Sequence, residues 1–136
     1  MSFRICLEIP TIAVAKARPR FTKKGFAFTP QKTSSFEAEV RWAWKAHGHP
    51  MIPKVPTALE IVCELPRPKS LKKSIKIPIT KPDVDNYAKA ICDALNGFAW
   101  EDDNQITDLT IRKRFALGAP QIKISIMPTM GEDNAA

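Results

Sequence analysis

Apolar and polar residues alternate from Ser2 to Ile9, with Phe3, Ile5, Leu7 and Ile9 on one side. That period of two marks a half-buried strand, and Pro10 ends it. After Ser34 the period lengthens. Phe36, Val40, Ala43 and Trp44 form an apolar stripe at helical spacing, and Ser34-Ser35-Phe36-Glu37 reads as a capping box, so a helix is predicted from Ser34 as N-cap to about His47. Trp42 falls off the stripe and is expected to be partly buried elsewhere in the fold, or else to face a subunit partner or DNA. His47 and His49 flank Gly48 and read as a helix end and a turn, because no cysteine or carboxylate accompanies them as a metal ligand. Residues 57–65 form a second strand, with Glu60 and Glu64 on its exposed face. Tyr87, Ala88, Ile91, Cys92 and Leu95 give a second helical face that starts near Asp85 and stops at Asn96-Gly97. Residues 106–117 and 121–127 alternate again on either side of Gly118-Ala119-Pro120, which predicts a hairpin. The order β-α-β-α-β-β implies one small α+β (mixed α/β) domain over residues 1–128, a mixed sheet with two main helices. Residues 129–136 are expected to be a disordered tail.

Charge divides this pattern into regions. The chain carries a formal net charge of +7 and a pI of about 9.5, which makes nucleic acid the first partner to consider. Residues 11–32 contain no acid and interleave Lys16, Arg18, Arg20, Lys23, Lys24 and Lys32 with Phe21, Phe26 and Phe28. Such a segment can track a phosphate backbone and stack on unpaired bases, or it can be a surface hairpin whose aromatics fold back on the core. Arg18 and Arg20 flank Pro19 in an extended spacing that favours contact with DNA. Residues 66–82 hold four prolines, the bases Arg67, Lys69, Lys72, Lys73, Lys76 and Lys81, and no acid. Loops of that length are usually functional or disordered, and this one leads straight into a carboxylate cluster, so it is expected to grip the substrate. Cys6, Cys63 and Cys92 are odd in number and widely spaced, and they read as core cysteines of a reducing compartment. No apolar run approaches the ~18 residues of a membrane span, so the expectation is a cytoplasmic protein with no membrane association.

Between Asp83 and Asp103 stand six of the fourteen acids, Asp83, Asp85, Asp93, Glu101, Asp102 and Asp103, with one base, Lys89. This stretch has a formal charge of −5, which leaves +12 for everything outside it. Carboxylates crowded in this way repel one another unless a cation joins them. On the predicted helix Asp85, Lys89 and Asp93 share a face, and Lys89 is expected to reach back toward Asp83 and Asp85. A helix of about ten residues advances roughly 15 Å, and seven extended residues from Gly97 cover roughly 23 Å. Asp103 is therefore expected to return to the helix N-terminus and join Asp83 and Asp85, with Asp102 as a further candidate ligand. Oxygen-only ligands suit Mg²⁺, with Mn²⁺ as a substitute, and exclude a structural zinc site. An ion held there activates water and neutralises a phosphodiester under attack, while Lys89 stabilises the transition state or orients the water. The structural alternative for Asp83 alone is an N-cap. It does not account for Asp-x-Asp followed by Glu-Asp-Asp.

The run Asp83-Val84-Asp85-Asn86-Tyr87-Ala88-Lys89-Ala90-Ile91-Cys92-Asp93-Ala94-Leu95-Asn96-Gly97, followed by Trp100-Glu101-Asp102-Asp103-Asn104-Gln105-Ile106, resembles the signature of the RusA family of Holliday junction resolvases. Upstream, Lys16-Ala17-Arg18-Pro19-Arg20-Phe21-Thr22 and Thr29-Pro30-Gln31-Lys32-Thr33 resemble its bacterial and phage branch, and the likeness extends from residue 16 to about 115. In some members a basic run directly precedes the first catalytic aspartate; here it is spread over residues 67–81 and broken by Pro78 and Pro82, and the connection from Gly97 to Trp100 differs in length from that of one subgroup. The resemblance implies a homodimeric, Mg²⁺-dependent endonuclease, with no small-molecule cofactor, that resolves four-way DNA by paired nicks in recombination and repair. By position, Asp83, Asp85 and Asp103 would be the catalytic carboxylates and Lys89 the essential lysine. A nuclease of broader taste for flaps and forks, and a noncatalytic DNA-binding module, are the alternatives; the intact acids and Lys89 oppose the second.

Overall fold

In the computed structural model, which describes residues 3–18 and 20–129, the alternating segments become one four-stranded sheet. Its strands are β1 (Ile5–Ile9), β4 (Thr57–Leu65), β5 (Ile106–Phe115) and β6 (Gln121–Pro128), in the order β1-β6-β4-β5. Two-residue strands β2 (Arg20–Phe21) and β3 (Ala27–Phe28) form a separate hairpin. Helices α1 (Gln31–His47) and α2 (Val84–Leu95) complete the mixed α+β domain in the expected order of principal elements. One face of the sheet is apolar: Ile5, Leu7 and Ile9, then Ile122, Ile124 and Ile126, then Leu59, Ile61 and Cys63 are all buried. Phe36, Val40 and Trp44 of α1 and Tyr87, Ile91 and Leu95 of α2 belong to the same core. The opposite face is polar, with Arg4 paired to Glu60 and Lys123 to Glu64, each at 3.6 Å.

β5 and β6 do not make the expected hairpin. β5 runs parallel to β4, placing Leu59 opposite Leu109 and Ile61 opposite Ile111, while β6 lies antiparallel between β4 and β1. Burial explains the choice. Three fully or almost fully buried isoleucines suit β6 to the sheet centre, whereas β5, with Asp108, Arg112 and Arg114 exposed, tolerates an edge. Beyond β5, the Ala116 N–H donates to the Leu65 carbonyl at 2.8 Å as the chain turns toward β6.

Helix α1 begins three residues before Ser34. Pro30 is the N-cap, its carbonyl accepting the N–H groups of Thr33 and Ser34, and no side chain caps this end. Ser34 lies inside the first turn and donates its hydroxyl to the Gln31 carbonyl at 3.1 Å, and Glu37 faces a tertiary partner instead of the backbone. Gly48, at φ 80°, closes the helix in the left-handed conformation that glycine tolerates, and the His47 and His49 rings lie against Trp44. Trp42 is 70% exposed, contrary to the expected partial burial. Cys6 is also exposed, because it alternates with Ile5 and Leu7 on the outer face of β1; Cys63 is buried and Cys92 half-buried. Thr129, expected in the tail, donates its N–H to the Pro56 carbonyl at 2.9 Å. The remainder of that predicted tail, 130–136, lies outside the described residues, as do Ser2, Pro19 and the side chain of Arg20.

Candidate active site along the second helix

The β4–α2–β5 unit sets the geometry. Two parallel strands require the intervening chain to return along the sheet, so the two ends of α2 stand at opposite ends of β4. Tyr87, near the start of α2, lines a cavity with Leu65 and Phe115 from the ends of β4 and β5. The far end of α2 meets Ile52, just before β4, through bridges that join both Ile52 and Asn96 to Trp100.

Asp83 is the N-cap of α2, with φ −73° and ψ 151°, yet its carboxylate makes no capping hydrogen bond; only its carbonyl is used, accepting the Asn86 N–H. Capping therefore does not explain this acid. Asp83 and Asp85 are both exposed, and neither carboxylate is bonded to another described residue. Beside them lies an open depression of about 380 Å³ lined by Lys16, Lys81, Pro82, Asp83 and Asn86. The residue 15–17 strap is fastened there by the Lys16 N–H, which donates to the Asn86 carbonyl at 2.8 Å.

One and two turns further along, Lys89 does not reach back toward Asp83. Its ammonium pairs forward with Asp93 at 3.6 Å. The same Asp93 oxygen receives Lys16 at 3.1 Å, and Lys16 also donates to Glu37 of α1 at 2.8 Å. Lys16 was expected on DNA, but its side chain is only 18% exposed and bridges the two helices. Burial is the largest single influence on its pKa and works downward; the hydrogen bonds and charges of Glu37 and Asp93 outweigh it and leave Lys16 above its ordinary value.

Asp103 stays at the far end of α2 instead of returning to Asp83. Residues 97–102 are not extended. Phe98 and Ala99 donate to the Leu95 carbonyl, Gly97 at φ 77° donates to Trp100, and the Asp103 N–H donates to the Asn96 side chain at 3.0 Å. The buried Trp100 indole donates to Asp103 Oδ1 at 2.7 Å. Asp102 caps the 3₁₀ turn Asp103–Gln105, accepting from the Asn104 N–H at 3.0 Å, so the fourth candidate ligand is a capping residue. Gln105 closes the capping box and is buried, its amide donating to the Pro53 carbonyl at 2.8 Å. Partial burial raises the Asp103 pKa, opposed by the Trp100 hydrogen bond; Asp93 and Asp102 add to the rise and Lys89 works against it. Asp103 thus shares its field with Asp93 and Lys89.

Among the described residues, no three His, Cys, Asp or Glu side chains are gathered closely enough to hold a metal ion. The donor set is nonetheless entirely carboxylate oxygen, which suits Mg²⁺. That ion is usually held by one or two carboxylates together with waters and substrate phosphates, not by a closed protein cage. Asp83 and Asp85, together at the head of α2, fit an ion of that kind; Asp103, at the other end of the helix, does not share that position with them.

The basic residues divide into free and structural groups. Lys69, Lys72, Lys73, Lys76 and Lys81 are exposed along the 66–82 loop, and Arg18, Lys23 and Lys24 are exposed around the β2–β3 hairpin. Arg67 instead holds the loop together, donating to the Ile75 and Lys72 carbonyls at 2.7 Å each while its guanidinium stacks on Phe115. Phe21 and Phe26 are 71% and 69% exposed, so the hairpin aromatics do not fold back on the core. Lys113 fastens the loop's exit, donating to the carbonyls of Thr80 and Pro82 at 2.6 and 2.9 Å. Sequence reasoning missed Trp100, Gln105, Asp93 and Lys113 as site-building residues. Gln105 had a local signal in the Asp-x-x-Gln spacing of a capping box, and Asp93 in its i, i+4 spacing from Lys89.

Residues 10–127 match the family model described as Endodeoxyribonuclease RusA. The chain is also similar to the uncharacterized protein YqaN of Bacillus subtilis (strain 168), with 33% identity over 126 residues, covering 83% of this chain and 88% of that relative. With the match running from just after β1 into the last residues of β6, and with the aspartates of α2 and its following turn inside it, the chain belongs to the endodeoxyribonuclease RusA family.

Proposed function

We propose that the protein is a Mg²⁺-dependent, structure-selective endonuclease that resolves four-way DNA junctions by paired symmetric nicks, acting as a homodimer in the bacterial or phage-infected cytoplasm. The observation that carries this reading is that, inside a RusA match over residues 10–127, Asp83 and Asp85 stand exposed at the head of α2 with neither carboxylate bonded to another described residue. Acids left so beside a basic loop are suited to meet a cation and a phosphate together. Asp83 and Asp85 are the carboxylates that would hold Mg²⁺, which, when bound with the DNA, would activate water and offset charge on the phosphodiester, while Asp103 would act from the other end of α2 as a separate acid of the site. Lys89, 63% exposed and one turn beyond Asp85, presents its ammonium to negative charge developing on the phosphate. Lys81 lines the depression beside Asp83 and guides the backbone into it. The exposed lysines of the 66–82 loop and the Arg18, Lys23 and Lys24 surface supply sequence-independent grip, while Phe21 and Phe26 can stack on unpaired bases.

Exposed stacking aromatics also suit forks and flaps, which favours the broader branched-DNA nuclease as the second reading. Purified protein incubated with synthetic four-way, forked and linear duplex DNA, with and without Mg²⁺, distinguishes the two. Symmetric cuts confined to the four-way substrate and dependent on Mg²⁺ are expected; equal cutting of forks would favour the second reading, and no cutting of any branched DNA would exclude both.

A further inference from the structure

We infer that Glu37, Lys16 and Asp93 form a positioning relay that fixes Lys89 on its face of α2, so that Lys16 serves cleavage through protein carboxylates and not as a DNA contact. The inference rests on the reading of α2 as the nuclease site. Lys89 has a long flexible side chain and is largely exposed, and its pairing with Asp93 has the lysine N-terminal to the acid, the weaker order for a helical i, i+4 pair. Alone, that pairing would leave the ammonium mobile. Asp93, however, is held from its other side. Lys16 donates to the same Oδ2 at 3.1 Å, and Lys16 is fixed three times over: by Asp93, by Glu37 at 2.8 Å, and by its own backbone N–H on Asn86. Order therefore passes from α1 through the strap to Asp93, and from Asp93 to Lys89.

Charge makes the same point. Asp93 and Lys89 both act on Asp103. Without Lys16, Asp93 would be an undercompensated negative charge close to Asp103 and would compete with it for Lys89. With Lys16 and Glu37 in place, the four groups contain two positive and two negative charges, so the relay sums to zero and adds no net negative charge to that of Asp103 and its neighbour Asp102.

The test compares Lys16→Met, Lys16→Arg, Asp93→Asn, Lys89→Ala and the Asp93→Asn/Lys89→Ala double variant. Single-turnover cleavage at saturating protein and junction affinity across a salt series are measured separately. Lys16→Met and Asp93→Asn should slow cleavage on the order of 10- to 100-fold, the usual range for groups that orient a metal-site residue, with the salt slope unchanged. Lys16→Arg should restore most of the rate, and Asp93→Asn should add little once Lys89 is gone. An activity-independent readout is amine acylation followed by mass spectrometry: Lys16 should label far more slowly than Lys23, and Asp93→Asn should raise labelling of both Lys16 and Lys89. Should Lys16→Met fail to fold, Asp93→Asn, altered at a partly exposed side chain, decides alone. A Lys16→Met protein that cuts at the wild-type rate but loses affinity, with the log-log salt slope reduced by about 0.9, would make Lys16 a phosphate-binding residue and overturn the relay. Losses at Asp93 and Lys89 that multiply independently would overturn it too. Wild-type protein that cuts no branched DNA would instead overturn the nuclease reading, a separable outcome.

Discussion

An aspartate at a helix N-terminus ordinarily has a structural reason to be there, since its side chain can satisfy a backbone N–H. Asp102 uses that option and Asp83 does not. The contrast predicts opposite responses to substitution. Asp83→Asn, Asp85→Asn and Asp103→Asn should each reduce cleavage by more than about 100-fold, beyond the usual cost of altering a supporting group, while junction affinity in a gel shift holds or rises as repulsion of phosphates falls. Loss of binding in parallel with cleavage would mean a structural cluster. Asp102→Asn should be nearly silent, because Asn also caps well, whereas Asp102→Ala should cost about 0.5–2 kcal/mol in denaturant unfolding. Lys16 gives a pH prediction. Its folded pKa is raised, so its contribution to stability is complete below the ordinary lysine value of 10.5 and is lost as pH rises through the higher folded value. The stability gap between wild type and Lys16→Met, followed by urea unfolding, should therefore narrow only in strongly alkaline solution. At this scale the sequence revealed residue types better than assignments. Ser34-x-x-Glu37 and Asp102-x-x-Gln105 carry the same local signal, but only the second is a capping box, because Lys16, twenty-one residues upstream, draws Glu37 into a tertiary ion pair.

Elements were legible where a single period runs unbroken. The helical face of Tyr87, Ile91 and Leu95 and the alternation of Ile122, Ile124 and Ile126 both became the structures they implied. Alternation says that a strand exists and which face it buries; it does not name the neighbour, so the short turn at Gly118 suggested a β5–β6 hairpin that the sheet does not contain. That partner choice also decided the site. Because β5 begins beside Thr57, parallel to β4, Asp103 is carried to the far end of α2, and chain reach from Gly97 alone could not have anticipated it. The 66–82 loop is held by Arg67 from within and Lys113 from outside, which leaves its outward lysines free to change without loss of its shape. Replacing Lys72, Lys73 and Lys76 together by alanine should weaken binding to all DNA alike and lower the log-log salt slope by roughly 0.9 for each phosphate that the protein no longer neutralises. An unchanged slope in a fluorescence titration would make the loop a solvated run.

For the whole molecule, a four-way junction presents two equivalent strands, and a two-fold dimer presents two copies of one active site in matching symmetry. In the proposed dimer, the exposed Trp42, with Phe98 nearby under Arg41 and Lys45, would be the first surface to test as the contact with a second copy. The protein should sediment as a dimer, and mixed dimers of wild-type and Asp85→Asn subunits should nick a supercoiled cruciform plasmid where wild type linearises it. A monomer with junction bound, or linear product from the mixed dimers, would favour the broader branched-DNA nuclease. The place of β6 also bears on the moment of folding. It is the last of the described strands in chain order, yet it stands in the middle of the sheet, joined to β1 on one side and β4 on the other. A growing chain on the ribosome can form α1 and pair β4 with β5, but β1 has no strand to lie against until Gln121–Pro128 has emerged. The sheet is thereby incomplete until β6 has been made, and a chain stopped at Ala119 should be captured by chaperones or proteases instead of accumulating as a partial, DNA-binding fragment.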